Sequence, residues 1–531
     1  MADDPLAADA ARPRTMIELR RADHRLDDIE RWLTEGLSRG APPPAPSRPP
    51  GRVVRALWLD ASINGLRQER PELSAATTLV AWQRIAMVAT ITSVVVLTVL
   101  DPRRAGIVVM GACAACYLAA VLFRLRLFGL SLHSESSIEV TEEDARALAD
   151  DDLPVYTVMV PAYGEPTIVA RLLEAMGGLD YPRDKLDLKL LLEEDDVATI
   201  EAVARVGAPS WVDVVLVPPA QPRTKPKALN FGLFGARGEF ITIYDAEDRP
   251  DPLQLRRAVV ALRRSAPEVA CVQAQLAYFN PGQNMITRWF TLEYRMWFTQ
   301  FLPGLTRLEA PLPLGGTSNH FRTDVLRALG GWDPFNVTED ADLGLRLYRL
   351  GYRTGVLGSV TLEEANSDFI NWMKQRSRWY KGYLQTWLVH VRHPVDSCRQ
   401  LGWRQFLRFN LFVGGTPILA ILNPVFWAMT IVWFLGRPVV VQAWFPPLIY
   451  YPALLCLVVG NFLFLYAVLL TAVEADEDEL TLLAALTMPV YWAMMSMAAI
   501  KALLQLVTAP SYWEKTTHGL DEPVLDPLVE P

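Results

Sequence analysis

Acidic clusters follow two of the short apolar runs in this 531-residue sequence, and they carry its clearest chemical signal. Residues 193–196 (EEDD) end one run, and residues 245–248 (DAED) end another. Carboxylates spaced like Asp245, Glu247 and Asp248 can hold Mg²⁺ or Mn²⁺, which prefer oxygen ligands and can share their shell with a diphosphate. A single acidic turn is more often a helix cap or a solvated loop. Two such clusters favour a metal-dependent phosphate site.

A second chemical signal is the stretch QRSRWYKGYLQTW at residues 375–387. In a helix, Gln375, Arg378 and Trp379 share one face, because residues three and four apart are neighbours. Cationic donors beside an aromatic plate suit a phosphate next to a sugar, but they also suit a helix lying on a membrane surface. The stretch TKPKALN at residues 224–230 adds two lysines that can neutralise a phosphate or simply occupy a solvated turn.

The elements that must position these residues read as an α/β domain over residues 154–365. Short β-branched runs alternate with helical patterns, which is typical of a mostly parallel sheet with helices on its faces. Ligands bind such sheets outside the carboxyl ends of the strands, where the acidic clusters stand. The predicted strands are residues 155–160, 186–192, 212–217, 240–245 and 269–276.

Long apolar segments lie on both sides of this domain, and each has the roughly 20 residues that a membrane crossing needs. Three prolines, at 446, 447 and 452, indicate that the fourth segment bends or begins in the interface. Polar, proline-punctuated residues 1–78 argue against a cleavable signal peptide. Arginines around the first two segments favour an inside N-terminus, which places the central domain in the cytoplasm. The segments are residues 79–100, 105–123, 411–435, 438–473 and 480–500.

Charge and cysteine content exclude other classes. The net charge of −8 argues against nucleic-acid binding, and five cysteines do not form a disulfide framework. The predicted organisation is a flexible proline-rich segment (1–50), a helical linker (51–78), a transmembrane hairpin (79–127), the α/β domain (154–365), interfacial helices (366–408), about three spans (411–508) and a tail (509–531).

Six motifs in order, VMVPAYGEP, LLLEEDD, KPKALN, DAED, TED and QRSRW, resemble those of membrane-embedded family-2 glycosyltransferases. The resemblance covers about residues 79–515 and is greatest to cellulose, chitin, hyaluronan and curdlan synthases. It implies an α/β GT-A (Rossmann-like) cytoplasmic catalytic domain inserted between transmembrane α-helices. Two departures stand out: the metal motif reads Asp-Ala-Glu, and two glutamates precede the first aspartates, leaving open which pair contacts the nucleotide.

The resemblance also implies roles for individual residues. Asp340 is the expected general base, on a motif with Glu339 and Thr338; the alternative is a capped helix with Thr338 as N-cap. Metal ligands are expected at Asp245, Glu247 and Asp248. Expected acceptor contacts are Gly316, Thr317, Asn319 and Trp379, whereas His320 is expected to be packed. Expected nucleotide-sugar contacts are Pro161, Tyr163, Glu165, Glu194, Asp195, Asp196, Lys225, Lys227, Asn230, Gln375, Arg378 and Trp379.

The implied activity is inverting transfer of a sugar from a UDP-sugar to a growing β-linked polysaccharide, processive and coupled to export. The expected donor is UDP-glucose, with UDP-N-acetylglucosamine second, and accessory export subunits are possible partners. The alternative is single addition of a sugar to a membrane lipid. The expected location is a bacterial inner membrane. The tail motif SYWEKTTHG (511–519) resembles a gating element, although three spans after the domain would place it outside the cell.

Overall fold

The computed structural model describes residues 52–131, 137–436, 438–474 and 479–516. The expected proline-rich segment at residues 1–50 and the chain beyond residue 516 lie outside these ranges. One mixed sheet forms the centre of the described chain. Its strands are β1 (Ser137–Ile138), β2 (Tyr156–Ala162), β3 (Leu186–Glu193), β4 (Val212–Val217), β5 (Phe240–Ile243), β6 (Arg249–Pro250), β7 (Val269–Tyr278), β8 (Asn319–Arg322) and β9 (Arg353–Glu363).

The sheet has the order β1-β9-β7-β8-β5-β2-β3-β4, with β6 pairing β9 at one side. The pairs among β4, β3, β2 and β5 are parallel, whereas β8 runs antiparallel between β5 and β7. All five strands predicted from β-branched runs are present. The parallel half aligns the carboxyl ends of β2, β3 and β5, so the loops after them share one edge of the sheet.

Helices surround the sheet and continue into the apolar segments. They are α1 (Arg52–Glu69), α2 (Ala81–Leu100), α3 (Pro102–Ser131), α4 (Glu142–Arg146), α5 (Val169–Gly177), α6 (Val197–Val206), α7 (Lys225–Phe234), α8 (Gln254–Arg264), α9 (Met285–Met296), α10 (Leu302–Arg307), α11 (Thr323–Ala328), α12 (Glu339–Arg349), α13 (Phe369–His390), α14 (Pro394–Leu401), α15 (Trp403–Phe409), α16 (Gly415–Gly436), α17 (Val439–Trp444), α18 (Pro447–Leu455), α19 (Asn461–Glu474), α20 (Glu479–Leu486) and α21 (Met488–Thr508).

Two apolar cores cover the two faces of the sheet. Successive side chains on a strand point to opposite faces, so Val158 and Val160 of β2 join one core and Met159 joins the other. Helices α5, α6 and α8 cover the first face, and α7 and α11 cover the second. The residues of β2 are buried on both faces, which explains why its sequence reads as a continuous apolar run.

Helix α1, within the predicted linker, docks on the second face. The Trp58 ring stacks on Phe234 with 5.4 Å between ring centroids. Asn230 Nδ2 donates a hydrogen bond to the Ser62 carbonyl oxygen at 3.0 Å. The segment ahead of the first apolar helix is therefore part of the packing of the sheet domain.

Five helical segments are long and apolar enough to cross a membrane. The long apolar stretch at residues 438–473 is divided as its prolines indicated, because α17 ends at Trp444 and α18 begins at Pro447. The stretch at 480–500 is not one helix, since α20 and α21 are separated at Thr487. The segments are Ala81–Leu100, Pro102–Ser131, Trp403–Gly436, Pro447–Thr471 and Met488–Thr508.

Helix α21 lies alongside α13, the helix that carries QRSRW. Near its start, the Tyr491 ring packs on Trp372 of α13 with 5.2 Å between centroids. Just beyond its end, Pro510 accepts a hydrogen bond from Gln385 Nε2 at 2.9 Å. Both ends of α21 therefore stay beside α13, and Lys515 beyond it contacts Tyr163 of the sheet domain.

Candidate active site

A cavity of about 390 Å³ joins the carboxyl edge of the sheet to the apolar helices. At the sheet end its wall includes Lys225, Asp245 and Asp340, and at the far end it includes Tyr117 of α3 and Asn423 of α16. Aromatic side chains line the passage between the two ends. The cavity wall between these ends includes Tyr294, Trp297, Phe298, Phe301, Trp379, Tyr383, Phe412, Phe464 and Trp492.

The loop after β5 brings the carboxylates of Asp245 and Asp248 close together, so that they repel each other. Asp248 is 1% exposed, and its Oδ2 accepts hydrogen bonds from the Asp245 backbone N–H at 2.8 Å and from Thr317 Oγ1. Burial, together with the charges of Asp245 and Glu247, holds the pKa of Asp248 well above its ordinary value. The Lys225 ammonium hydrogen-bonds Asp245 Oδ1 and, at 2.8 Å, the Gly316 carbonyl oxygen. Acidic side chains are concentrated here, and the Lys225 ammonium neutralises part of their charge.

The same loop offers oxygen ligands for a divalent cation. Asp245 and Glu247 both face the cavity, and Asp248 Oδ1 is buried without a hydrogen-bond partner in the described chain. No group of three Asp, Glu, His or Cys side chains among the described residues is arranged to hold an ion by itself. Two facing carboxylates fit Mg²⁺ or Mn²⁺ when a diphosphate supplies further oxygens.

The TED motif lies at the start of α12, on the cavity wall. Asp340 Oδ1 accepts a hydrogen bond from the Ala341 backbone N–H at 2.7 Å. Burial raises the Asp340 pKa to about 6, against the opposing effect of that hydrogen bond and of Lys225. Burial and the neighbouring Asp340 charge raise the pKa of Glu339 to about 8. A carboxylate with a raised pKa is a better proton acceptor near neutral pH.

Thr338 occupies the N-cap position of α12, as the alternative expected, but its side chain makes no capping hydrogen bond. It instead presses against α13 at Gly382. A Cβ atom on Gly382 would lie 2.3 Å from Thr338 Oγ1 and Cγ2 and 2.7 Å from Thr338 Cβ. The absence of a side chain at Gly382 therefore lets α13 approach the TED motif.

Gln375, Arg378 and Trp379 all line the cavity, on one face of α13. Gln375 Oε1 accepts a hydrogen bond from Asn366 Nδ2 at 2.9 Å. The Trp379 ring stacks on Tyr294, with 6.2 Å between centroids, which leaves it as part of an aromatic wall.

Arg378 also meets the chain's tail. Its guanidinium lies 4.6 Å from the centroid of the Trp513 ring, and its Nη1 donates to the Glu514 carbonyl oxygen at 3.2 Å. Lys501 Nζ holds the Glu514 carboxylate at 2.8 Å, and Lys515 hydrogen-bonds the Tyr163 carbonyl oxygen. The tail thus lies across the cavity mouth, between α13 and the loop after β2.

The loops after β2 and β3 meet near this tail. Arg223 donates to the Tyr163 hydroxyl at 2.6 Å and to the Asp195 carboxylate. Asp196 caps α6 by accepting from the Thr199 backbone N–H at 3.3 Å, and it also accepts from Gly164 N–H. The Glu165 backbone N–H donates to Thr199, and Pro161 lies in β2 opposite Leu191 of β3.

Of the twelve residues expected at the nucleotide, four line the described cavity and eight do not, and three of those eight have other partners. Lys227 is fully buried and its ammonium lies 2.7 Å from Glu193 Oε2, away from the cavity wall. Asn230 donates to the Ser62 and Trp332 carbonyl oxygens, and Glu194 pairs with Arg55 of α1. Of the two lysines in KPK, Lys225 is the one at the cavity.

The loop before β8 divides between cavity and core. Gly316 lies on the cavity wall, where a Cβ atom would be 3.4 Å from Asp340 Oδ2. Thr317 and Asn319 are buried beneath it, and Asn319 Nδ2 donates to the Gly315 carbonyl oxygen at 2.6 Å. His320 is packed, as expected: Tyr156 contacts its ring, and burial lowers its pKa to about 3.

Several cavity residues escaped the sequence analysis. Glu363 and Glu364 line the wall at the end of β9, a strand that was not predicted. The signal was present, because TLEE repeats the pattern of acids after a β-branched run. Glu293 and Arg376 also line the cavity as an ion pair, with Arg376 Nη1 2.9 Å from Glu293 Oε1.

Residues 240–504 match the family described as "Glycosyl transferase family group 2". The match covers 265 of the 531 residues, just under half of the chain. The match begins at β5 and includes the metal motif, the TED motif and α13. With the mixed sheet, it confirms the expected GT-A-type fold with apolar helices beside the catalytic domain.

Curated relatives are also glycosyltransferases. "Probable glycosyltransferase YdaM" of Bacillus subtilis is 26% identical over 44% of this chain and 56% of its own length. "Glucomannan 4-beta-mannosyltransferase 2" of Arabidopsis thaliana is 27% identical over 59% of this chain and 60% of its own. The chain thus spans less than two thirds of the length of these curated relatives.

A solved structure, "Mannosyltransferase PcManGT from Pyrobaculum calidifontis in complex with GDP-Man and Mn2+", is 19% identical. The likeness has a TM-score of 0.45 and covers 75% of this chain and 98% of that one. A superposition this loose assigns neither a donor nor a metal to this chain.

Proposed function

We propose that the chain is a membrane glycosyltransferase that repeatedly transfers a hexosyl group from a nucleoside-diphosphate sugar to the end of a β-linked polysaccharide. One observation carries this proposal: a single cavity reaches from Asp245 and Asp340 to Tyr117 and Asn423 of the apolar helices. An enzyme that only modified a soluble acceptor would not need such a passage. Aromatic walls suit a sugar chain, since ring faces pack on sugar faces.

The geometry supports inversion in one displacement. The acceptor hydroxyl gives its proton to the Asp340 carboxylate as its oxygen bonds to the anomeric carbon. The bond from that carbon to the diphosphate breaks at the same time, and the nucleoside diphosphate leaves. Lys225 and Arg378 are placed to stabilise the charge on the leaving group. Mg²⁺ or Mn²⁺ held by Asp245 and Glu247 would neutralise that charge further.

The names of the plant relatives favour a mannosyl donor. Glucomannan 4-beta-mannosyltransferases are matched over more than half of this chain. UDP-glucose, expected from the resemblance to cellulose and curdlan synthases, finds no support among these names. A mannosyl donor is therefore the first to test, with UDP-glucose and UDP-N-acetylglucosamine as comparison arms.

The helices also suggest how the chain crosses the bilayer. Trp82 Nε1 donates to the Arg392 carbonyl oxygen at the end of α13, which ties the start of α2 to the catalytic side. Trp444 Nε1 donates to the Pro102 carbonyl oxygen at the opposite turn. With α21 held along α13, four crossings remain: α2, α3, α15 with α16, and α18 with α19. An even number keeps the catalytic domain and residues 511–516 together on the cytoplasmic side.

This arrangement gives the tail a role at the donor. Trp513 and Lys515 connect Arg378 to the Tyr163 loop, over the mouth that a nucleotide must pass. The gating role expected from SYWEKTTHG is compatible with this position. We infer that donor binding displaces the Trp513 ring from the Arg378 guanidinium.

The proposal is tested with the full chain purified into lipid nanodiscs. Radiolabelled GDP-mannose, UDP-glucose and UDP-N-acetylglucosamine are each supplied with Mg²⁺ or Mn²⁺, and products are sized and subjected to linkage analysis. The expected product is a β-linked polymer from one donor, absent with Asp340→Asn. A product carrying a single sugar on lipid would replace this function with the lipid-modifying alternative, and no transfer from any donor would overturn both.

A further inference from the structure

Arg124 is the one charged side chain that the candidate membrane-spanning helices contribute to the cavity, among the lining residues described. It lies on α3, seven residues before the helix ends at Ser131. Arg126, two residues later, is exposed on the outside of the same helix. The positive-inside pattern explains a cation near this helix end, but it does not explain one that faces an aromatic cavity.

The surroundings of Arg124 supply hydrogen-bond partners but no counter-charge. Its Nη2 donates to Thr416 Oγ1 at 3.0 Å. The Tyr117 and Tyr380 side chains, both phenols, also act on it electrostatically. No Asp or Glu of the described chain lies within ion-pair distance of its guanidinium. In contrast, Arg376 in the same cavity is paired with Glu293.

Arg124 is half-buried in this cavity, and a cation withdrawn from water without an anion is unfavourable unless something else supplies the charge. Ionisable residues within membrane helices are costly and are kept where a substrate path needs them. The planar guanidinium matches a carboxylate or phosphate in a two-bonded geometry, and only one of its nitrogens is committed to Thr416. A neutral sugar would offer hydroxyl groups to Arg124 but would leave its charge unbalanced.

The donor's own phosphates are not the expected partner. Lys225, Asp245 and Arg378 mark the donor end of the cavity, at the sheet edge. Arg124 and Thr416 belong to α3 and α16, on the side of the cavity that leads to Asn423. An anion at Arg124 therefore belongs to the acceptor or to the product that has already passed Trp379.

From this juxtaposition of an unpaired guanidinium with the acceptor side of the cavity, we propose that Arg124 binds an oxyanion carried by the acceptor. The oxyanion is a carboxylate on a sugar unit or a phosphate on a lipid-linked acceptor. This inference rests on the proposed function, because it assumes that an acceptor occupies the cavity.

The test measures binding by quenching of tryptophan fluorescence, since Trp297, Trp379 and Trp492 line the cavity. The full chain in nanodiscs is titrated with three probes: oligomannuronate, a neutral mannan oligosaccharide of equal length, and undecaprenyl phosphate in vesicles. Arg124→Gln is compared with Arg124→Lys, which keeps the charge, and with Arg126→Gln, which removes the exposed neighbouring charge.

The expected result is that Arg124→Gln raises the Kd of one anionic probe at least about tenfold, as for loss of a charged hydrogen bond. Arg124→Lys should retain part of that affinity, and Arg126→Gln all of it. The probe that loses affinity identifies the source, carboxylate or lipid phosphate. Equal effects on neutral and anionic probes, no effect of Arg124→Gln, or equal effects of Arg126→Gln would overturn the inference.

Donor hydrolysis by the wild-type preparation separates this inference from the proposed function. If the wild-type chain releases sugar from a nucleoside-diphosphate sugar but binds no anionic probe through Arg124, the proposed function stands and the Arg124 inference is wrong. If the wild-type chain cleaves no donor, the proposed function is wrong, whatever the binding titrations show.

Discussion

The contact between Gly382 and Thr338 allows a sharp test of how the general base is positioned. In Gly382→Ala, the new Cβ atom would lie 2.3 Å from Thr338 Oγ1 and Cγ2, whereas ordinary contact begins at 3.4 Å. Rotating the Thr338 side chain does not relieve the overlap, because its Cβ atom would also be only 2.7 Å away. The backbone of either α13 or the TED motif must therefore move by about 1 Å.

That displacement separates two sets of groups that must act together. Asp340 follows Thr338 in the chain, while Arg378 and Trp379 lie one turn before Gly382 on α13. A misplacement of about 1 Å can cost about 10²-fold in rate. We expect kcat of Gly382→Ala to fall by that order. Stability should change less, because alanine gains about 1 kcal/mol of helix propensity against about 1–3 kcal/mol of overpacking.

The assay measures kcat with saturating donor and the thermal unfolding midpoint of the same nanodisc sample. Gly65→Ala in α1 is the matched control, because no atom lies within 4 Å of its added Cβ. It should keep wild-type turnover. If Gly382→Ala keeps kcat within about twofold of wild type while folded, close packing of α13 on the TED motif does not position the base.

The remaining predictions concern the charges at the site. Asp340→Asn should lower turnover by about 10²–10⁴-fold while donor binding, measured by equilibrium titration, is retained. Because burial raises the Asp340 pKa to about 6 and the base must be ionised, kcat should fall as pH drops below that value, and a flat profile would contradict this role. Lys225→Met should weaken donor binding with little change in the thermal unfolding midpoint. Lys227→Met should instead lower the free energy of unfolding by about 3 kcal/mol, because Glu193 loses its buried partner. Chelation with EDTA should abolish transfer, and Mn²⁺ or Mg²⁺ should restore it; transfer that persists in EDTA would remove the metal from the proposal.

The sequence predicted best what depends on the geometry of a parallel sheet. Asp245 was placed at a strand end by the β-branched run before it, and strand ends of a parallel sheet meet at one edge. The spacing of Gln375, Arg378 and Trp379 was sufficient to place them on one face of a helix. In both cases a local repeat fixes the direction in which side chains point, so no knowledge of distant contacts was needed.

The two lysines of KPK show where such reasoning ends. Residues Pro226 to Phe234 of α7 are all buried, so the helix has no polar face that could tell Lys225 from Lys227. The choice is made by neighbours distant in sequence: Glu193 at the end of β3 pairs with Lys227, and Asp245 pairs with Lys225. Strand β9 differs, because its sequence signal was present in TLEE even though its pairing with β7 contains register shifts.

Helix α21 shows that hydropathy reports how apolar a segment is and not what covers it. Its 21 residues are apolar enough to span a bilayer, yet its contacts run along α13, from Trp372 near one end to Gln385 near the other. Those contacts order the tail, because Lys501 of α21 holds Glu514 beside Arg378. A topology predicted from hydropathy alone counts α21 as a crossing. It would place Trp513 on the opposite side of the membrane from Arg378, which Trp513 contacts. Packing covers only part of the apolar surface of α21: Tyr491 and Trp492 line the aromatic cavity, whereas Leu504 and Val507 are exposed.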